Sequence, residues 1–457
     1  MPGFAVRVII ALVFCSFVLH SSINWQQDVV SRHYAKYPQS TLFYQALFQH
    51  NADALLQHYL NHPQWTLDKK TQWLSQAALT KDVQAHFELG KNWYQDGQHQ
   101  RAVLWLKSAA NRRHIEAALL YGEILIVVGD YDTADKILTS KLLGDHPQTK
   151  ITLAQLYLQT DRIDKALHLL RQLAAQNIPG ATKKLKNLES LMAGTVQPNQ
   201  CQLTVQFLVS GYSQLRYAAG IRAQWKESSS LNELPLCFNP IQRFNPKLLG
   251  CTDESGFRMQ CDLTLMAQNL KLPANTLPVI VHGQFGVANY NNGIIFINHH
   301  KSYGVFKHEL FHHFGFIDEY PLPQKLAENI CKVKSPRYVG ENLFVVPKQN
   351  LNQGLQQGMT KVDTCRNFDA VAFKPTDELT LMAFMDQPLP KIYLERARDK
   401  LLSQTNAMAN YQYAYALAFD QKGQRNEYLR WLQLSAHQGY QIAKALLLKE
   451  SGQTDKL

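Results

Sequence analysis

Hydrophobic and small residues recur at a fixed interval through the first part of the chain. The pair Trp73-Leu74 returns as Trp105-Leu106, 32 residues later. Leucines and alanines continue the same interval, at Leu106, Leu138 and Leu170 and at Ala102, Ala134 and Ala166. A fixed period of this size predicts stacked helical hairpins, because one hairpin is too thin to bury its own apolar face. An irregular helical bundle is the alternative interpretation.

A similar unit returns near the end of the chain, where Trp431 follows a glycine by eight residues, as Trp105 does. The residues of both parts resemble tetratricopeptide repeats of the Sel-one-like kind, over residues 38–193 and 405–453. The resemblance implies a surface that binds a protein partner. A single terminal repeat is unstable alone. We therefore expect it to pack on the middle of the chain or on the first repeats.

Between the repeats the pattern changes from helical to strand periodicity. Leu203, Val205, Phe207 and Val209 alternate along the chain, which predicts a strand with one buried face. LPVIVHG at 277–283 and the apolar run after an Asn-Asn-Gly turn predict two more strands. The expected fold is therefore multidomain: an all-α helical-repeat region, an α+β middle domain at residues 200–400 and a short α-helical C-terminal repeat.

Composition and charge narrow the class of protein. The chain has 457 residues, which is typical of two or three domains. Its hydrophobic content of 46% is enough for packed cores. The formal net charge of +11 is spread along the chain rather than gathered in one block. Because no nucleic-acid-binding motif accompanies this mild basicity, we expect no nucleic-acid partner.

Residues 1–23 have the features of an export segment. Arg7 precedes an apolar run from Val8 to Leu19. That run is shorter than the roughly 20 residues of a membrane-spanning helix and fits the core of a signal peptide. The segment is expected to be either a cleaved signal peptide or a retained membrane anchor. Both place the protein in the periplasm, or on the membrane facing the periplasm or the exterior.

Cysteine usage agrees with export. Six of the seven cysteines lie in the middle of the chain, at Cys201, Cys237, Cys251, Cys261, Cys331 and Cys365. An even number in an exported domain predicts disulfides, although six cysteines allow fifteen pairings. Sequence proximity favours Cys251 with Cys261 and Cys331 with Cys365. A second metal site is disfavoured, because no two of these cysteines have C-x-x-C spacing.

The chemistry is suggested by the sequence HELFHHFGFIDEY, which begins at His308. His308 and His312 are four residues apart, so a helix places both imidazoles on one face, within reach of one zinc ion. Glu309 is positioned to contact a water on that zinc rather than the zinc itself. Gly315 permits a tight turn that returns Asp318 to the same metal. Three protein ligands leave a fourth position open, as in catalytic sites, so we expect one Zn²⁺ per chain.

The spacing His308-Glu309-x-x-His312-x-x-Gly315-x-x-Asp318 resembles the zinc signature of metzincin peptidases. Aspartate as the third ligand is similar to the snapalysin type, and the adjoining Glu319-Tyr320 is similar to the ending of the IgA-peptidase motif. The resemblance implies a metzincin-like zinc metallo-endopeptidase domain, with Gly315 and Tyr320 as structural residues near the site.

A second segment extends the resemblance. Thr380-Leu381-Met382-Ala383-Phe384 is similar to the methionine turn that metzincins place beneath the zinc, with Met382 as the methionine. The long interval from Asp318 to Met382 implies an insertion that holds Cys331 and Cys365. Glu328 is a rival third ligand, as in zinc peptidases that take a glutamate from a later helix.

The expected substrate is an extended polypeptide, with Glu309 acting as general base on the zinc-bound water. Substrate would pair as an added strand with the segment before the zinc helix, formed by Ile294, Ile295, Phe296, Ile297 and Asn298. The helical repeats would recruit the substrate or a partner protein. Two alternatives remain: a repeat-based scaffold with a degenerate peptidase domain, and a zinc hydrolase that acts on cell-wall peptides.

Overall fold

The structure is a computed structural model, and it describes residue 75 and residues 82–144, 146–194, 201–352, 358–403 and 408–451. The expected export segment at 1–23 and the first repeat residues, including Trp73, lie outside the described residues. The chain divides into two compact units, Met1–Thr182 and Lys183–Leu457. No helix in the described ranges is long and apolar enough to cross a membrane.

The described part of the repeat region is built from helical hairpins. Their helices are α1 (Val83–Gln95), α2 (His99–Asn111), α3 (Ile115–Val128), α4 (Tyr131–Leu138), α5 (Pro147–Gln159), α6 (Ile163–Ala175) and α7 (Pro179–Met192). The first helices of successive hairpins begin at Val83, Ile115, Pro147 and Pro179, each 32 residues after the last. The interval seen in the sequence is therefore the interval of the structure, and the helical-repeat prediction is confirmed.

The repeating residues form the contacts between these helices. Leu106, Leu138 and Leu170 are all almost fully buried, as are the repeating alanines Ala102, Ala134 and Ala166. A Cβ atom at Gly90 would lie 2.6 Å from Cγ of Leu106. The helices therefore approach so closely that only glycine fits at this position, and the leucine fills the remaining space.

A mixed sheet forms the centre of the second unit. Its strands lie in the order β2 (Leu236–Phe238), β1 (Leu203–Val209), β4 (Thr276–Val281), β6 (Ile294–Ile297) and β5 (Asn289–Asn291), and β3 (Gln242–Arg243) also pairs with β1. All these strands run parallel except β5, which is antiparallel to β6. The expected α+β domain is therefore an α/β region in its main sheet.

Helices accompany this sheet, and a smaller sheet follows it. The helices are α8 (Tyr212–Glu227), α9 (Leu263–Asn269), α10 (Tyr303–His313), α11 (Gln324–Cys331) and α12 (Lys391–Ser403). The second sheet is antiparallel, in the order β7 (Arg337–Tyr338), β8 (Phe344–Pro347), β10 (Ala370–Lys374) and β9 (Thr360–Val362). It lies within the insertion expected between Asp318 and Met382.

The C-terminal repeat packs on the main sheet, which is one of the two expected positions. Its helices are α13 (Tyr411–Gln421), α14 (Arg425–His437) and α15 (Gln441–Glu450). Tyr411 and Tyr415 share a buried cluster with Ile280 and Phe296 of the sheet. The Tyr411 hydroxyl also donates a 2.8 Å hydrogen bond to the carbonyl oxygen of Leu272. The repeat is thus part of the second unit rather than a separate module.

Three disulfides cross-link the second unit: Cys201–Cys237, Cys251–Cys261 and Cys331–Cys365. Both pairings favoured from sequence proximity are confirmed. The other bond, Cys201–Cys237, links the segment just before β1 to β2. The three bonds are compatible with an exported, oxidising location.

We expect these six cysteines to be oxidised in the protein isolated from its native compartment. Alkylation without reductant, followed by peptide mass spectrometry, should recover three cross-linked peptide pairs with the connectivity above. Free thiols at these six positions, or a different pairing, would contradict both the structure and the expected compartment.

Candidate metal centre

Helix α10 positions the two histidines of the motif. It follows β6 after a short turn, and its apolar side chains Phe306, Leu310 and Phe311 are fully buried behind it. This packing fixes the rotation of the helix about its own axis. His308 and His312, one turn apart, consequently face the same side of the helix.

The chain reverses direction at Gly315, as the sequence predicts. Gly315 has a φ of +92°, in the left-handed region that favours glycine. Its N–H donates to the carbonyl oxygen of His312, and the Phe316 N–H donates to that of Phe311. This reversal brings Asp318 back beside the two imidazoles.

Three side-chain atoms then converge. Oδ1 of Asp318 lies 3.0 Å from Nε2 of His308 and 3.2 Å from Nε2 of His312, and the two Nε2 atoms are 3.1 Å apart. Within the described residues, no other group of His, Cys, Asp or Glu side chains is arranged to hold a metal ion.

Hydrogen bonds on the far side of each ring determine which nitrogen carries the proton. Nδ1 of His308 lies 3.0 Å from the carbonyl oxygen of Leu381, and Nδ1 of His312 lies 2.9 Å from that of Phe316. A carbonyl oxygen only accepts, so each Nδ1 donates, and in the neutral rings both Nε2 atoms present lone pairs. Two nitrogen lone pairs and a carboxylate oxygen therefore point at one place, an arrangement that a cation stabilises.

The donor set fits zinc in chemistry and in spacing. Imidazole nitrogen and carboxylate oxygen bind zinc at about 2.0–2.2 Å, which makes neighbouring ligand atoms of a tetrahedral site about 3.3 Å apart. The separations of 3.0–3.2 Å are close to that value. These residues can therefore hold a zinc ion with little rearrangement.

The electrostatics of the group favour a cation. Burial alone would raise the pKa of Asp318, but the two imidazoles hold it below its usual range, so the side chain is a carboxylate at neutral pH. Burial disfavours charge on His312, yet the neighbouring Asp318 raises the pKa of this imidazole overall. Without metal the site can therefore hold a proton, which a divalent cation would displace.

Glu309 lies beside the histidines in a cleft of about 440 Å³. The cleft is lined by His308, Glu309, His312, Asp318 and Tyr320, and by Val287–Tyr290, which lead into β5 and begin it. Burial raises the pKa of the Glu309 carboxyl, while the charges of the two imidazoles lower it. Burial makes the carboxylate a stronger base than an exposed one.

The strand that the sequence predicted to pair with substrate lies inside the sheet, not at its edge. β6, which contains Ile294–Ile297, pairs with β4 on one side and β5 on the other, so its backbone has no free edge. Asn298 is buried, and its side-chain amide donates to the carbonyl oxygens of Phe285 and Gly286. The edge of the sheet is β5 (Asn289–Asn291), which also lines the cleft.

The segment around Met382 supports the metal helix through its backbone. Met382 is fully buried, and its carbonyl oxygen accepts a 3.0 Å hydrogen bond from the Glu319 N–H. The carbonyl oxygen of the preceding Leu381 accepts from Nδ1 of His308. A Cβ atom at Gly304 would lie 1.9 Å from the carbonyl oxygen of Met385, so only glycine permits this approach of turn and helix. Met385 is 37% exposed and lines the cleft.

Glu319 connects distant segments of the chain, a role that its place in the motif did not predict. Its buried carboxylate accepts from Thr380 Oγ1 at 2.7 Å, Tyr393 Oη at 2.5 Å, Lys374 Nζ at 3.1 Å and Asn342 Nδ2 at 3.2 Å. These donors come from segments 23 to 74 residues away in sequence. Glu319 therefore joins the loop of Asp318 to the Met382 turn, to β10 and to α12.

Glu328 and His313 do not contact the convergent atoms, whereas the Tyr320 side chain is hydrogen-bonded to Asp318. The Glu328 side chain is 42% exposed and lies 3.6 Å from Lys332, outside the cluster of possible ligands. His313 is buried, its Nδ1 lies 3.3 Å from the Tyr290 hydroxyl, and burial lowers its pKa to about 3. The Tyr320 ring stacks at 6.4 Å on the ring of His308.

Comparison with known proteins gives little similarity. No family model matches the chain, and no curated protein matches it. Among solved structures, a tetratricopeptide repeat protein from Parabacteroides merdae ATCC 43184 is similar at 13% identity and a TM-score of 0.28, covering 50% of this chain and 91% of that chain. At that score the similarity assigns neither fold nor function.

We expect Asp318→Ala to weaken zinc binding by more than about 100-fold. Loss of a residue that only hydrogen-bonds to a metal ligand costs about 10–100-fold in affinity, and Asp318 is proposed to be a ligand itself. Titration against a chromophoric zinc chelator measures this. Glu328→Ala is the matched control and should leave the affinity unchanged, since Glu328 lies outside the cluster. Loss of zinc in Glu328→Ala with retention in Asp318→Ala would reverse the assignment of the third ligand.

We expect Glu319→Ala to lower the free energy of unfolding by about 3–5 kcal/mol, because it leaves the buried Lys374 ammonium without its carboxylate partner. Urea denaturation measures the change. Asp369→Ala, which removes a solvent-exposed partner of Lys348, is the control and should have little effect. Equal stability of the two variants would show that the buried carboxylate does not hold these segments together.

Proposed function

We propose that the chain is a zinc-dependent endopeptidase that hydrolyses an extended polypeptide. The observation that carries the proposal is the convergence of His308, His312 and Asp318 at 3.0–3.2 Å beside the carboxylate of Glu309. His308, His312 and Asp318 would hold the metal. When bound, zinc polarises the scissile carbonyl and lowers the pKa of a coordinated water.

Glu309 is the general base in this proposal. Its carboxylate takes a proton from the attacking water as the oxygen adds to the peptide carbonyl carbon. It then passes that proton to the departing amine nitrogen as the C–N bond breaks. Burial in the cleft, which raises the pKa of Glu309, supports the first step because it strengthens the base.

The edge strand β5 is the surface on which the main chain of a substrate would lie. It has one partner in the sheet, β6, and its other side faces the cleft. An extended peptide added there would lie along the strand and across the face of α10 that carries the histidines. A cell-wall peptide could bind to the same strand and metal site. We propose a polypeptide as the substrate because pairing along a strand requires an extended peptide backbone.

The helical repeats support a protein-binding role in addition to the proposed peptidase activity. Their hairpins give the chain an array of helices with exposed apolar side chains at Leu104, Ile115 and Val127. We propose that this region binds a partner protein or recruits the substrate. In the alternative function, a scaffold with an inactive peptidase domain, this binding would be the sole activity.

We expect Glu309→Gln to bind zinc as the unaltered chain does and to lose at least about 100-fold in kcat, because the amide cannot accept the proton. Metal content and hydrolysis of casein and of internally quenched peptides should be measured on the same preparation. A purified chain that binds zinc but cleaves no polypeptide would favour the scaffold. Parallel loss of zinc and activity in Glu309→Gln would make the residue structural.

A further inference from the structure

A disulfide-closed loop forms one wall at the entrance of the cleft. Cys251 and Cys261 are joined, and Thr252 and Gln260 pair across the loop between them. Arg258 lies on this loop and lines the same cleft as His308 and Glu309. No role in metal binding or in proton transfer accounts for an arginine at this place.

The backbone of the loop is fixed to the segment that leads into the edge strand. Arg258 pairs in parallel with Val287: the Val287 N–H donates to the carbonyl oxygen of Phe257, and the Met259 N–H donates to that of Val287. The Asn289 side chain also donates to the carbonyl oxygen of Met259 at 2.9 Å. Arg258 is therefore held at the beginning of β5, the strand on which a substrate would lie.

Arg258 also determines the sign of charge at this wall. Among the described residues that line the cleft, it is the one Lys or Arg side chain. Asp318 and Glu309 contribute two carboxylates, and the two positive charges of a bound zinc ion would balance them. The guanidinium then leaves the cleft with an excess positive charge beside the substrate strand.

The guanidinium has no carboxylate partner in the described part of the chain, and the residue is exposed to solvent. Its side chain lines the same cleft as Tyr320, beside the proposed metal ligands. An arginine offers five donors in a planar fork that suits a carboxylate. A free arginine at the edge of a cleft is therefore available for an acidic ligand group.

We propose that Arg258 is a specificity-determining residue that selects a polypeptide with an acidic side chain near the scissile bond. The proposal rests on the peptidase function above. Pairing on β5 would bring one substrate side chain beside the loop, and a glutamate or aspartate there would form a salt bridge with the guanidinium.

The test is peptide binding by the zinc-loaded Glu309→Gln chain, which cannot consume the peptide. Fluorescein-labelled decapeptides share one parent sequence, and a single Glu or Gln is placed at each position in turn. Fluorescence anisotropy gives the Kd of each peptide. We expect one position at which Glu binds about tenfold more tightly than Gln, an effect of the size of a charged hydrogen bond. The preference should weaken as NaCl is raised, because the pair is exposed to solvent.

Added substitutions assign the preference to Arg258. Arg258→Gln should abolish it, and Arg258→Glu should replace it with a preference for Lys at the same position. Arg216→Gln, which removes an exposed arginine that does not line the cleft, is the matched control and should keep it. A glutamate preference that survives Arg258→Gln, or peptide binding with no preference at any position, would overturn the inference.

Hydrolysis of the same peptides by the unaltered chain separates this inference from the peptidase proposal. Binding with an Arg258-dependent preference but without cleavage would refute the peptidase and keep the recognition site. Cleavage that is indifferent to acidic residues would keep the peptidase and refute the role of Arg258.

Discussion

The local structure around the cleft depends on two imidazole nitrogens and one carboxylate oxygen that converge on one point. Nε2 of His308, Nε2 of His312 and Oδ1 of Asp318 lie 3.0–3.2 Å apart. Lone pairs at this distance repel one another unless a cation or a proton lies among them. The fold holds them there by Nδ1 hydrogen bonds to two backbone carbonyls and by the reversal at Gly315. A bound cation stabilises such an arrangement and, without metal, so does a proton shared between the imidazoles and the carboxylate.

The second constraint is the buried carboxylate of Glu319. Removing this charge from water is costly, and the cost is offset only because four donors from distant segments surround it. The same contacts fix the loop that carries Asp318 against the turn that carries Leu381 and Met382. Rigid support of this kind keeps ligand atoms at the distances that a metal ion requires.

Local features of the sequence predicted local features of the structure well. Four-residue spacing placed both histidines on one helix face, Gly315 marked the turn, and the 32-residue interval matched the helical hairpins. Each depends on residues that are neighbours in the chain. The zinc and the peptidase chemistry stay predictions.

The order of strands and the long-range contacts could not be read in the same way. The apolar run Ile294–Ile297 is typical of any buried strand, so it could not show that β6 is internal and β5 is the edge. Lys374 and Tyr393 contact Glu319 across 55 and 74 residues. The sequence of the insertion that carries Lys374 contains no local pattern that predicts this contact. Met385 likewise lines the cleft only because its turn packs closely against Gly304.

The most direct test of the central claim is anomalous diffraction at the zinc edge from crystals grown with one equivalent of zinc. The account predicts a single peak about 2.0–2.2 Å from Nε2 of His308, Nε2 of His312 and Oδ1 of Asp318, with the Glu309 carboxylate outside bonding distance. A peak bound by Glu309 or Glu328 in place of Asp318, or no peak at these residues, would contradict it.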